Sequence, residues 1–152
     1  MSVRAENTKT RGFDVWMEVG RTNLKVHRVL NLLLGELDLS LAQHEILVAL
    51  RNRPGQTQQE LSNRLMLVKS NASALIGKLE NRGLVQRTPD PEDTRNKRVR
   101  LTRAGQALVR KSFAVQNRVI NAMADVMSDA DLEHTQAVMR RVGAAIDKLN
   151  PD

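Results

Sequence analysis

The sequence predicts a mainly α-helical protein with one small β-hairpin, in which a winged helix-turn-helix lobe is joined to a helical dimerisation lobe. Three observations lead there. Residues 57–83 carry two amphipathic helical patterns back to back, with no room for a long connection between them. After Gly83 the hydrophobic period changes from helical to alternating, over Leu84–Thr88 and again over Arg98–Leu101, with the proline-rich, charged stretch PDPEDTRNK between them. Positive charge is also concentrated. Residues 64–111 hold 12 Lys/Arg against 4 Asp/Glu, a surplus of +8, whereas the rest of the chain holds 12 against 13. A merely solubilised surface would spread its cations more evenly. Gathered onto a helix-turn-helix and a charged hairpin, they make the electrostatic footprint expected for duplex DNA.

The chain of 152 residues can bury one real core or two small lobes. It contains no cysteine, which excludes disulfides, thiol redox sensing and cysteine-ligated zinc. No run of 18 apolar residues occurs, so no membrane span is expected. The opening MSVRAENTKTRG is polar and lacks an apolar signal core, which places the protein in the cytoplasm.

Taken in order, residues 1–11 are polar and expected to fray. A long helix follows from about Gly12 to Leu37. Val19, Val26, Leu30, Leu33 and Leu37 line one face, and Phe13, Trp16, Met17 and Leu24 the adjacent one, so it asks for more than one neighbour. Ser40-Leu41-Ala42-Gln43 is a capping box that starts a second helix through Arg53, burying Leu41, Ile46, Leu47 and Leu50, and Pro54-Gly55 ends it. Thr57-Gln58-Gln59-Glu60 is another capping box, opening a helix whose apolar face is Leu61, Leu65 and Met66. The next helix begins around Val68 to Ser70, buries Ala72, Leu75, Ile76 and Leu79, and stops at Gly83, a residue that accepts a left-handed backbone. Beyond the hairpin, Thr102 caps a helix that runs to about Met127 along Leu108, Val115, Val119, Ala122 and Val126. Ser128-Asp129-Ala130-Asp131 caps the last helix, with acids where the dipole favours them. That helix carries Leu132, Met139, Val142, Ile146 and Leu149 at heptad-like spacing, and Pro151 closes it.

The two chain ends thus supply more apolar helix face than a lobe of this size buries alone. A homodimer interlocking the first, fifth and sixth helices accounts for it, through Val19, Leu132, Met139, Val142, Ile146 and Leu149. The alternative is a bundle folded back within one subunit. A two-fold dimer suits DNA, since it sets two recognition helices about one helical turn apart over a pseudo-palindrome. The domain organisation that follows is a dimerisation region of residues 1–38 and 103–152 around a winged helix-turn-helix lobe of residues 39–102.

This order of elements resembles the MarR family of bacterial transcriptional regulators. The most specific stretch is Gly83-Leu84-Val85-Gln86-Arg87, then Asp90-Pro91-Glu92-Asp93-Thr94-Arg95, then Val99-Arg100-Leu101-Thr102-Arg103-Ala104-Gly105. It looks like the family's GLV-R, D-P-x-D-x-R and V-x-L-T-x-x-G pattern at matching spacing. The resemblance implies that Arg95 is the wing arginine entering the minor groove, a place whose negative potential favours a guanidinium. It also implies that Asp93 buttresses Arg95; a plain turn residue is the competing account. Thr94 stands where many relatives carry a second arginine. Lys97 and Arg98 would follow the phosphates. Lys69, Ser70, Asn71 and Ser73 fall in the first turns of the recognition helix, where side chains reach base edges, and Asn71 can pair with adenine. Ser70 has a second use as helix cap, because Val68 stands at the usual cap position. Lys78 lies one turn on, as a phosphate contact. Gln58 and Gln59 open the preceding helix, where phosphate is gripped. Gly77 is read as a small residue facing the neighbouring helix.

His27, His44 and His134 have no partner at zinc-ligand spacing, so no metal is expected, and no cofactor. Nucleophile–base sets, glycine-rich phosphate loops and paired carboxylates are missing from the sequence, and catalysis is not supported. The resemblance implies a small aromatic effector bound between the dimer helices and the DNA-binding lobe, with Trp16, His44 and Glu45 as candidate lining residues; Trp16 as core or dimer interface is the competing account. The function expected is a ligand-responsive repressor that binds a pseudo-palindromic operator as a homodimer. The alternative is a winged-helix module that binds an acidic protein and no specific DNA.

Overall fold

The computed structural model describes residues 10–149; the expectations for residues 1–9 and for Pro151 fall outside the described residues. Among the described residues, six helices and one hairpin appear in the order α1 (Phe13–Gly35), α2 (Leu41–Asn52), α3 (Gln58–Arg64), α4 (Lys69–Asn81), β1 (Val85–Pro89), β2 (Lys97–Leu101), α5 (Arg103–Ala124) and α6 (Asp129–Asp147). The chain divides into two compact units, Met1–Phe113 and Ala114–Asp152.

Local chemistry sets most boundaries of the first unit. Ser40 Oγ accepts from the Gln43 N–H at 3.2 Å while Gln43 Oε1 accepts from the Ser40 N–H at 3.0 Å, so two otherwise orphaned donors are satisfied. Thr57 and Glu60 make the same reciprocal pair at the start of α3. The C-terminal carbonyls of α2 are met from outside the helix: the buried Gln56 amide donates to Ala49 O at 2.9 Å and to Arg53 O at 2.8 Å. Gly83 follows α4 with φ of 68°, the left-handed stop expected of it. The β1–β2 pair is antiparallel, with Val85 opposite Leu101 and Pro89 opposite Lys97. The hairpin is fastened to the lobe by Val99 N–H donating to Gln56 O at 2.8 Å.

The core of this unit is Leu34, Ile46, Leu47, Leu50, Leu61, Ile76, Leu79, Val85, Val99 and Val109. Three apolar assignments differ from the periodicity: on α1 the fully buried position is Leu34 rather than Leu33, one step round the helix. Met66 is 93% exposed with φ of 52°, because α3 stops at Arg64 and the reversal into α4 passes through Met66; Leu65 and Leu67 are the half-buried residues of that turn. On α5 the lobe-facing position is Val109 rather than Leu108, one step round the helix. Thr102 does cap α5: its hydroxyl accepts from the Gly105 N–H at 3.1 Å and donates to Gly83 O at 2.6 Å, so the helix start is tied to the strand entry.

In the second unit, Ser128 Oγ accepts from the Asp131 N–H at 3.2 Å and Asp131 reaches back to the Ser128 N–H at 3.0 Å, a third capping box. The Asp131 carboxyl is held below the usual carboxylate range, chiefly by the Ser128 hydroxyl. The α6 helix buries none of its residues within the single chain. Met139, Val142, Ile146 and Leu149 are exposed, and Leu132 is half-buried.

Candidate nucleic-acid interface

An open groove of about 540 Å³ runs between α3, α4 and the hairpin. Gln58, Lys69, Ser73, Arg95 and Lys97 all line it, although they come from three separate stretches of sequence. Gln59, expected beside Gln58, lines it too, as do Asn63 and Arg87, to which the sequence analysis gave no DNA role. The recognition helix α4 starts after Val68, whose side chain caps nothing. Ser70 is therefore an exposed first-turn residue and not the helix cap, beside exposed Lys69 and Asn71. Lys78 is exposed in the last turn of α4.

At the hairpin tip Asp93 serves both uses weighed for it. Its Oδ1 accepts from the backbone N–H of Arg95 at 3.1 Å, which makes the turn, and from Arg95 Nε at 2.9 Å, while Oδ2 accepts from Nη2 at 3.1 Å. The guanidinium is thereby aimed by a two-point pair while its side chain stays 89% exposed. The Arg95 side-chain bond holds the Asp93 carboxyl below its ordinary value, and Asp93 in turn raises the Arg95 guanidinium.

Three expectations need correction. Arg98 does not run along the outside of the wing. Its Nη2 lies 3.0 Å from Asp90 Oδ2 and its Nη1 donates to Gly55 O at 3.0 Å, so it clamps the hairpin to the α2–α3 connection. The Asp90 carboxyl is depressed, first by the Glu92 backbone N–H and then by Arg98. Gly77 faces Arg87 rather than a neighbouring helix, since a Cβ there would meet Arg87 Nη2 at 4.0 Å. His44 is 1% exposed, with Nδ1 and Ser112 Oγ 3.0 Å apart, so it is a core group joining α2 to α5 and not the wall of an open crevice. Of its intended companions, Trp16 is 68% exposed and packs against Phe13 with ring centroids 5.8 Å apart, and Glu45 is exposed on α2.

Sequence reasoning missed the Glu80–Arg87 pair, which joins the end of α4 to β1 with a 2.6 Å contact. Arg87 lowers the Glu80 carboxyl, mainly through its side-chain hydrogen bond. The signal was present in GLVQR but pointed at no partner.

A helix-turn-helix, an antiparallel wing and a cationic groove between them define a winged helix-turn-helix fold. Residues 39–97 match the model of the MarR family. The chain is 27% identical over 105 residues to the transcriptional regulator HosA of Escherichia coli O111:H-, covering 69% of this chain and 78% of HosA. Its fold superposes with TM-score 0.78 on a mutant MarR from E. coli solved in complex with operator DNA, at 24% identity, covering 85% of this chain and 93% of that one. CouR from Rhodococcus jostii RHA1, solved bound to p-coumaroyl-CoA, gives TM-score 0.76 at 25% identity, covering 85% and 91%. No helix among the described residues is long and apolar enough to cross a membrane.

Proposed function

We propose that the protein is a cytoplasmic, homodimeric repressor that occupies a pseudo-palindromic operator and is released by a small aromatic effector. The observation that carries this is the shared groove, where Lys69 and Ser73 of α4 stand beside Arg95 and Lys97 of the wing. Helix side chains suit the major groove and a hairpin-tip guanidinium the minor groove of one duplex. Residues 39–102 would act as the DNA-binding lobe, with Gln58, Ser70, Asn71 and Lys78 on phosphates and base edges and Asp93 setting Arg95. The operator complex of the E. coli MarR mutant supports the DNA partner, and the acyl-CoA-bound CouR supports a ligand response.

Dimerisation is supported by apolar surface left open on each unit. Trp16, Val19, Leu24 and Leu32 are exposed on α1, and Met139, Val142, Ile146 and Leu149 in and just beyond α6. Contiguous patches of this kind mark an interface. Residues 1–38 and 103–152 would supply it. A ligand need only bind the spacing of recognition helices that does not fit the operator.

The test is fluorescence anisotropy with duplexes from the chain's own upstream DNA, combined with sedimentation. Expected are specific, salt-dependent binding by a dimer, and a monomer with weakened binding for the Met139→Asp, Ile146→Asp double variant. A monomeric wild type that ignores duplex DNA in dilute salt would overturn the reading and favour a protein-binding module.

A further inference from the structure

We propose that Arg82 is a positioning residue that locks the C-terminal end of the recognition helix to the α1–α2 corner, so that the preference for one spacing of operator half-sites depends on it. This role rests on the operator reading above, in which Arg82 touches no DNA.

Two helix ends meet here, closed in the same way. At the end of α1 the Asp38 N–H donates to Gly35 O at 3.0 Å and the Leu39 N–H to Leu34 O at 3.1 Å, with Asp38 left-handed at φ of 53°. At the end of α4 the Gly83 N–H donates to Glu80 O at 2.8 Å and the Leu84 N–H to Leu79 O at 3.0 Å, with Gly83 left-handed at φ of 68°. Such a closure fixes the chain just beyond a helix to its last turn. Arg82 joins the two ends, its Nη1 donating to Asp38 O at 2.6 Å across 44 residues of sequence. Among the described residues it has no carboxylate partner, so this carbonyl alone sets where it points. The corner itself is anchored, because Leu39 beside that carbonyl is buried. Asn31 of α1 holds its far side: Oδ1 accepts from the Leu41 N–H at 3.0 Å and Nδ2 donates to His27 O at 3.0 Å. A run of directional bonds thus leads from α1 through the corner to the end of α4.

The other end of α4 has no such lock. Val68 supplies no cap, and Lys69, Ser70 and Asn71 are exposed. The helix has 13 residues. At that length, about 20 Å, a tilt of about 5° at the locked end moves the base-reading turn by about 2 Å. Buried Ala72, Ile76 and Leu79 set how deep the helix sits, but apolar contact carries little direction. The bond from Arg82 supplies direction. Its source is α1, the helix that the reading above gives to the dimer interface. The competing account is that Arg82 only offsets the negative ends of two helix dipoles, which would affect stability and not spacing.

The test uses the upstream duplex that the full chain binds most tightly, the same duplex with one base pair added or removed at its centre, and a duplex holding one half-site. The wild type should lose about tenfold in affinity on the altered spacings, the scale of one lost base contact. Arg82→Met should lose about twofold or less on the same change, and Arg82→Lys, which keeps a donor, should restore the preference. Single half-site binding should be unchanged in both. Asn31→Ala should also lose the preference, and the double variant should lose no more than either single one. Circular dichroism and sedimentation would check that each variant folds and dimerises. A spacing preference intact in folded Arg82→Met would overturn the proposal, and a lowered Tm beside it would assign Arg82 to the helix ends alone. Equal weakening on every duplex with a shallower salt slope would make it a phosphate contact and overturn the proposal too. So would a wild type that binds all spacings alike. A chain that ignores every duplex would remove the operator reading and this role with it, whereas the other outcomes leave that reading standing.

Discussion

Arg87 reaches Glu80 with three donors. Its backbone N–H meets Oε1 at 3.0 Å, Nε meets Oε2 at 2.8 Å, and Nη2 lies 2.6 Å from the same oxygen. The pair spans from the last turns of the recognition helix to the first strand of the wing, so it sets the angle between the two elements that would straddle the duplex. The Glu80→Ala variant separates this role from simple charge. Removing an acid beside a cationic groove should tighten DNA binding if charge alone counts. Loss of wing alignment should instead weaken it by about fivefold, the scale of one half-exposed ion pair. Anisotropy titrations at fixed salt decide the sign, and tighter binding would show that the pair does not position the wing.

Arg95 and Lys97 should fail differently. Arg95→Ala is expected to weaken operator binding by about ten- to a hundredfold, as for a good base-edge contact. Lys97→Ala should weaken all duplexes alike and reduce the salt slope by about one. Arg98→Ala should leave that slope nearly unchanged, because its guanidinium is spent on Asp90 and Gly55. It should instead lower Tm by roughly 4 °C or more, since a nearly buried carboxylate loses its cation. Matching slope changes in Lys97→Ala and Arg98→Ala would put Arg98 back on the DNA.

Acid should destabilise the protein. The carboxyls of Glu80, Asp90, Asp93 and Asp131 are all lower in the fold than their ordinary values. The folded state therefore binds protons less readily than the unfolded chain. Their contribution is complete above the unfolded carboxylate range, about pH 4, and is lost as pH falls through the depressed folded values. Thermal melts should be nearly flat from pH 7 to about pH 5 and fall steadily below about pH 4. A Tm that rises on acidification below pH 4 would contradict the assignment.

Gly105 stands so close to Leu84 that a Cβ would collide with its carbonyl oxygen. Backbone blocks the space, so no side-chain rotation relieves it. Gly105→Ala should cost about 1–3 kcal/mol or more, by forcing the start of α5 away from the strand entry. Gly143, where a Cβ meets nothing within 4 Å, is the control: Gly143→Ala should be neutral or slightly stabilising in urea unfolding. Equal midpoints for the two variants would show that α5 can shift freely.

Features completed within a few residues were legible before any coordinates. The Ser40–Gln43, Thr57–Glu60 and Ser128–Asp131 caps close over three residues, and the left-handed Gly83 depends on its own backbone, so residue type and spacing contain the whole interaction. The helix-turn-helix, the wing and the gathering of positive charge were visible for the same reason. Side-chain destinations were not. Arg98 reads as one more wing cation until Gly55, 43 residues earlier, offers a carbonyl. His44 reads as a ligand candidate until Ser112, 68 residues later, packs beside it. Met66 looks buried by period and is exposed because the chain reverses there. Periodicity says which face of an element is apolar, but a guanidinium on a long flexible stem takes its partner from whatever the fold brings within reach, and that is a property of three-dimensional packing.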